Sequence, residues 1–202
     1  MSMNKQSLFT TPIYTFTNKD AATEHDGWRK AIYELKQRDP GRVVSNHLGW
    51  QSSVPLHTIP QLAALGRYLF SSVCEVAREE NWAMEKHAVL IDGWANINGK
   101  GASNNFHNHP NSLLSGCYYI DVPPSSGDLV LRDPREIAYM LQPPLRTGNK
   151  APVTMIKPVP GMLVIFPAWL LHAVAANQSD ADRVSVAFNV AVGPRGATEG
   201  PR

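Results

Sequence analysis

In the run NNFHNHPNSLLSGCYYID, residues 104–121, two histidines stand two positions apart, His107 and His109, just ahead of a strand-like segment. Imidazole is the commonest side-chain metal ligand. Residues i and i+2 of a strand share a face, so the two rings can turn together, their Cα atoms roughly 7 Å apart. At that spacing two imidazoles can meet one ion at about 2.0–2.1 Å each. An ion needs a third protein ligand, and His172, in FPAWLLHAVAAN, opens a late strand. Further on lies Arg183, in RVSVAFNV, with Ser185 on the same strand face. An arginine pointing into a barrel is costly unless an anion meets it. Its planar fork suits a carboxylate. The chemistry in prospect is therefore a three-histidine metal centre beside a cation that holds a small acid. A structural ion pair of Arg183 with Asp121, Asp128 or Asp133 is the competing account. His25, His47, His57 and His87 read as surface or hydrogen-bonded structural residues.

Those residues need a scaffold to bring them together. Asp20 to about Arg38 has Trp28, Ile32 and Leu35 at helical spacing and stops at DPG, a helix-ending turn. Thr58 to about Glu80 carries Leu62, Leu65, Leu69, Val73 and Val76 in steps of three or four, with Thr58 as N-cap and Pro60 in the first turn. From Lys86 the texture changes to short apolar runs between Gly, Pro and Asn: HAVLIDGWANI, LSGCYYIDV, GDLVLRD, VTMIKPVPG, MLVIFPAW, HAVAA and RVSVAFNVAV. Six or seven short strands at close spacing predict a closed or double-sheet β architecture. The expected fold is mainly β with N-terminal helices: a helical layer over about 18–82, a jelly-roll core over about 86–193 and a flexible tail, 194–202, all in one domain of 202 residues. A jelly roll can bring the strand of His172 beside that of His107.

Composition narrows the class. The net charge of +2 is spread over both signs with no basic block, which argues against a nucleic-acid surface. No apolar run is long enough to cross a bilayer. The opening MSMNKQSLFTTPIY lacks a signal peptide's apolar middle, so a cytoplasmic location is expected. Cys74 and Cys117 read as buried thiols rather than a disulfide.

Taken together, the motifs resemble the iron(II)- and 2-oxoglutarate-dependent oxygenases, in which one strand carries His-x-Asp, a later strand the distal His, and an Arg beyond it grips the cosubstrate. SGCYYID resembles the corresponding strand of prolyl-hydroxylase-like members, which implies that Tyr119 reaches the far carboxylate of 2-oxoglutarate. PGMLVIFPAWLLHAV resembles the strand pair that delivers the distal His, and SGDLVL falls where the family often has a Gly-Gly-x-Leu turn. LFTTPIY, GWQSS, WANIN, FHNHPNSLLSGCYYIDVP, RDPR and FPAWLLHAV further resemble a branch of bacterial and phage members. The resemblance implies a double-stranded β-helix and an oxidoreductase using Fe(II) and 2-oxoglutarate. It would hydroxylate a small-molecule or amino-acid or peptide substrate with release of succinate and carbon dioxide. His107, His109 and His172 would hold the metal, and Arg183, Tyr119, Ser185 and Asn96 would face the cosubstrate.

One departure matters. The family's carboxylate position is His109, where the usual facial triad has two histidines and an acid. Either three imidazoles hold the ion, or Asp128 or Asp133 supplies a carboxylate and His109 orients another ligand. Asn96 and Asn98 alternate with Trp94 and Ile97, and Asn96 reads either as a pocket residue or as a structural one. Trp50 and Gln51 read as a loop over the mouth, with a packed surface Trp as the competing account, and Asp133–Arg135 as a turn with a local ion pair. Three histidines plus water is also a catalytic zinc arrangement, giving a hydrolase, lyase or isomerase without 2-oxoglutarate. A non-catalytic binding module is a third reading. No nucleic-acid or membrane partner is expected, and a homodimer is compatible with the sequence.

Overall fold

The computed structural model describes residues 2–140, 143–144, 146 and 151–194. Residues 195–202 of the expected tail, and parts of the Pro143–Lys157 loop, lie outside that set. In chain order the main elements are β1 (Tyr14–Thr17), α1 (Ala21–Arg38), β2 (Asn46–His47), β3 (Trp50–Gln51), α2 (Ala63–Glu79) and β4 (His87–Asn98). There follow β5 (Ser103–His107), β6 (Leu114–Asp121), β7 (Leu129–Arg132), β8 (Val153–Ile156), β9 (Met162–Pro167), β10 (His172–Val174) and β11 (Arg183–Pro194).

The strands form two antiparallel sheets. One has the order β1-β9-β6-β11-β4-β3 and the other β2-β5-β10-β7-β8. Strand alternation decides what each face of the larger sheet carries. On β11, Val184, Val186, Phe188 and Val190 are all 0% exposed, in one apolar cluster with Leu114, Tyr118 and Ile120 of β6. Trp28, Ile32 and Leu35 of α1 and Leu65, Leu69, Val73 and Val76 of α2 complete that cluster. Both helices therefore cover the outer face. Each such side chain contributes about 1.5–3 kcal/mol on burial, so this layer anchors the strands. The opposite face turns towards the smaller sheet. A second cluster closes part of that interior, joining Tyr119, Val164 and Phe166 to Leu129, Leu131 and Leu170.

Three local readings differ from expectation. Helix α2 begins at Ala63, not Thr58, and Thr58 is no cap: its hydroxyl donates to the Pro55 carbonyl at 2.7 Å within a 3-10 turn. The cause is Pro60, whose ring drives the preceding Ile59 into an extended conformation (φ −107, ψ 98) and splits the start into two short turns. Trp50 and Gln51 are not a loop over the mouth; they pair with Ile97 and Asn96 at the sheet edge. Trp50 packs on the helical core and its indole N–H donates to the Asp39 carbonyl at 3.0 Å. Both cysteines are free, as expected, but each is half-buried rather than fully sealed.

The segment between α1 and β4 is tied down at Asp39, which is 4% exposed. Its carboxylate accepts from the backbone N–H of Gly41 and Ser53 and from the Ser53 hydroxyl, at 2.9, 2.8 and 2.6 Å. Burial opposes its ionisation, but these hydrogen bonds win and hold its pKa below the ordinary carboxylate value.

Candidate metal centre and anion pocket

Between the sheets lies a cavity of about 480 Å³ whose floor is the inward face of β4, β11 and β6. The register sets its layout: Arg183 lies opposite Asn98, Ser185 opposite Asn96, Ala187 opposite Trp94 and Asn189 opposite Asp92. The side chains that alternate with the apolar core residues are thus a mostly polar ladder along the floor, broken by the Ala187–Trp94 rung.

His107, His109 and His172 meet at one wall of this cavity. Their nearest ring nitrogens all lie within 4.8 Å of one another. His107 ends β5 and is directly paired with His172, the first residue of β10. His109 lies beyond the end of β5, in a connection where its backbone N–H bonds to the Ala168 carbonyl at 3.0 Å. The rings converge, but not through two positions of one regular strand.

The tautomers can be read from the partners. Nδ1 of His107 donates to the Asn105 carbonyl at 2.7 Å and Nδ1 of His172 to the Leu170 carbonyl at 2.9 Å. Each leaves Nε2 with its lone pair, and on His107 that nitrogen is met by the Ser45 hydroxyl at 3.3 Å. Burial lowers the pKa of all three: His107 falls below its ordinary value, His109 goes to about 4 and His172 to about 3, the latter two helped by the charge of His107. All three rings are therefore neutral at pH 7, the form that coordinates metals.

His109 is held differently. Among the described residues its Nδ1 is met by the Asn189 amide, at 3.3 Å, and the Ser115 hydroxyl bonds the other end of that amide at 2.8 Å. Asn189 and Ser115 are cross-strand partners on β11 and β6. A ring that ligates through Nε2 carries its proton on Nδ1 and needs the amide oxygen facing it. Turning the amide end for end provides this, because a hydroxyl can accept as well as donate.

At the far end of the floor Arg183 is 3% exposed. Its Nη1 donates to the Gly127 carbonyl at 3.2 Å and to that of Ser126 at 3.5 Å, while Nε is buried without a partner among the described residues. Gly127 makes that turn: it sits at φ +93, and a Cβ there would collide with the Ala175 carbonyl. Among the described residues Arg183 makes no ion pair. Asp121 is taken by Arg29, and Asp133 by Arg135 at 2.8 Å in the expected local turn. Tyr119 and Ser185, themselves cross-strand partners, line the cavity beside it. Burial raises the Tyr119 phenol well above its ordinary pKa, so it is a hydrogen-bond donor.

Residues 92–189, which contain the three histidines, Arg183, Tyr119, Ser185, Asn189 and Ser115, match the family model described as "Putative 2OG-Fe(II) oxygenase". This core resembles the 2OG-Fe(II) oxygenases. Among curated proteins none matches at the level of sequence. Solved structures carry the same fold. A Pseudomonas putida prolyl-4-hydroxylase is 13% identical, with a TM-score of 0.64 over 91% of this chain and 94% of that one. HygX from Streptomyces hygroscopicus, with nickel and 2-oxoglutarate bound, is 15% identical, with a TM-score of 0.63 over 95% of this chain and 86% of that one. A prolyl hydroxylase from Trichoplax adhaerens, in complex with a hypoxia inducible factor peptide fragment, is 15% identical, with a TM-score of 0.62 over 88% and 82%. The double-stranded β-helix is the architecture these oxygenases share, and no helix among the described residues is long and apolar enough to cross a membrane.

Against the 2OG-Fe(II) oxygenase pattern, the chain brings the three histidines together and puts Arg183, Tyr119, Ser185 and Asn96 in one cavity with them. Neither Asp128 nor Asp133 joins the histidine cluster. Sequence reading missed Asn189, Ser115 and Ser45, each of which touches a histidine or its amide partner. Asn189 and Ser115 could have been found by extending the alternation of Arg183 and Ser185 along their strands. Ser45 could not, since only the fold brings its segment to His107.

Proposed function

We propose that this chain is an iron(II)- and 2-oxoglutarate-dependent oxygenase that hydroxylates a small-molecule, amino-acid or peptide substrate with release of succinate and carbon dioxide. One observation carries the reading: a cluster of three neutral imidazoles shares a cavity with a buried guanidinium that has no carboxylate partner among the described residues. The donor set fits the metal, since imidazole suits first-row ions. The orphan Nε of Arg183 fits the distal carboxylate of a diacid. His107, His109 and His172 would hold the iron, and Arg183, with Tyr119 and Ser185, the cosubstrate. When bound, the pair supplies the oxidising chemistry: decarboxylation of the keto acid is coupled to placing one oxygen atom of dioxygen on a substrate carbon.

The protein's own part is orientation and exclusion. The carbonyls of Asn105 and Leu170 fix two rings with Nε2 inward, and Asn189 fixes the third. The Tyr119 phenol keeps its proton and donates it towards an anion. Asn96 adds an amide to the same floor, two residues from Asn98. Phe166, which stacks edge-on against His172 at 4.7 Å, and Leu129 form dry walls that strengthen each of these contacts. His109 in place of an acid leaves the ligand set without a negative charge, which favours the reduced ion.

A zinc hydrolase or lyase on the same histidines has no need of a dicarboxylate clamp, so Arg183 separates the two. The test is anaerobic addition of iron(II) and 2-oxoglutarate, which should give the visible charge-transfer band of a chelated keto acid. Arg183→Ala should weaken it and His109→Ala abolish it. Wild-type protein that gives no band while retaining zinc tightly would overturn the proposal.

A further inference from the structure

The proposed cosubstrate accounts for the Arg183 end of the cavity and leaves the other end unexplained. There Trp94, 8% exposed, lies with its ring centroid 5.9 Å from that of His109. Over the same indole stands Arg42, its guanidinium carbon 5.4 Å from the ring centroid. Trp94 is four residues along β4 from Asn98, the partner of Arg183, or roughly 13 Å at strand rise. The two arginines therefore serve different positions, with the histidine wall reached from both.

Arg42 is anchored in place. Its backbone N–H donates to the Gln51 carbonyl at 2.9 Å and its own carbonyl accepts from the Asn46 amide at 3.2 Å. The residue is exposed, is in no ion pair among the described residues, and lines the cavity. The charge balance of the lining points the same way. Its charged members are Arg42, Arg183 and a single acid, Asp92, at the rim. No carboxylate belongs to the histidine cluster, and the two arginines outnumber the one acid of the lining.

We infer that Arg42, stacked on Trp94, is the anchor for a free carboxylate on the molecule that is oxidised. The site takes a small carboxylic acid, its reacting carbon held over His109 by a two-pronged bond to the guanidinium. Asp92, two residues before Trp94 and on the same face of β4, meets an ammonium group where the acid carries one, as in a free amino acid. This inference rests on the oxygenase reading for what happens to the ligand, but not for its binding.

Ligand-observed saturation-transfer NMR tests it on the protein carrying zinc(II) and saturating 2-oxoglutarate, which occupies the Arg183 end. The probes are the free protein amino acids, their α-amides and their deaminated acids. Members with a free carboxylate should bind, and their amides at least about tenfold more weakly. Arg42→Gln should cost a similar factor, and Arg42→Lys, which keeps the charge without the fork, less. In the iron-loaded Arg42→Gln protein the keto-acid band should be unchanged, which also reports an intact fold. If deaminated acids bind as well as amino acids, the ligand is a simple acid; if amino acids bind better and Asp92→Asn removes the difference, it is an amino acid. Failure of every probe, equal binding of acids and amides, or equal binding to Arg42→Gln would overturn the inference. Arg42-dependent binding in a protein that never forms the keto-acid band would leave the anchor standing and remove the oxygenase reading instead.

Discussion

Strand β11 presents two faces that obey opposite rules. Outward, Val184, Val186, Phe188 and Val190 are completely buried against helices and carry no polar atom beyond the backbone. Inward, Arg183, Ser185, Ala187 and Asn189 form a cavity floor that includes a buried cation with an unpartnered nitrogen. The outer face holds the strand still so that the inner face can keep groups that would not fold by themselves. A polar floor with an orphan donor is tolerable only on a strand whose other side contributes many kcal/mol of apolar burial.

The sharpest way to break this comparison is one substitution on each side of the sheets' interface. His172→Ala should abolish metal binding, measured by equilibrium dialysis, and leave the far-UV circular dichroism unchanged. Phe188→Ala should do the reverse, costing about 3–5 kcal/mol of stability in denaturant unfolding while metal still binds to the fraction that is folded. Next comes Arg183→Met. Removing an unpaired buried charge should leave the unfolding midpoint unchanged or raise it, yet weaken 2-oxoglutarate binding by about 10–100-fold, the loss of one or two charge-assisted hydrogen bonds. Asn189→Ala should reduce metal affinity by about tenfold or more without affecting stability, and Asn189→Asp should restore it, because an acid can hold the Nδ1 proton of His109 as an amide oxygen does.

The smallest effect concerns a buried histidine on the outer side. His25 of α1 is 6% exposed and bonds the Tyr118 hydroxyl at 2.9 Å. Burial lowers its pKa below 6.5, so the unfolded chain takes up the proton first. Stability from this residue is complete above that value and is lost as pH falls through it towards the folded pKa. His25→Gln should therefore flatten part of the decline in unfolding midpoint between pH 7 and pH 5, measured with and without metal.

Much of the fold was legible because period-two alternation and helical stripes are local properties. The stripe Leu65, Leu69, Val73 and Val76 and the strands 87–97, 114–122 and 183–192 follow from them directly. What stayed hidden was short or non-local. The two-residue strands at Asn46–His47 and Trp50–Gln51 have no period to detect and exist only as pairings with distant partners. At the site, residue type pointed to the histidines and Arg183, since metal and acid chemistry restrict the choice. Arg42 gave no such signal: an exposed arginine in a loop is ordinary until the fold lays it on Trp94. The start of α2 lies later than its stripe suggests because Pro60, compatible with a first turn, also forces Ile59 out of the helical conformation.

The hydrogen bonds gathered on Asp39 have a further consequence. They fasten Gly41 and Ser53, the two ends of a span that adds only edge pairings to the sheets, while delivering Ser45 to the histidines and Arg42 to the mouth. What the cavity admits is thereby specified on an interchangeable clasp, and what is done inside is specified on fixed strands. Exchanging residues 42–44 between relatives would retune selectivity while Ser45 and the three histidines stay as they are.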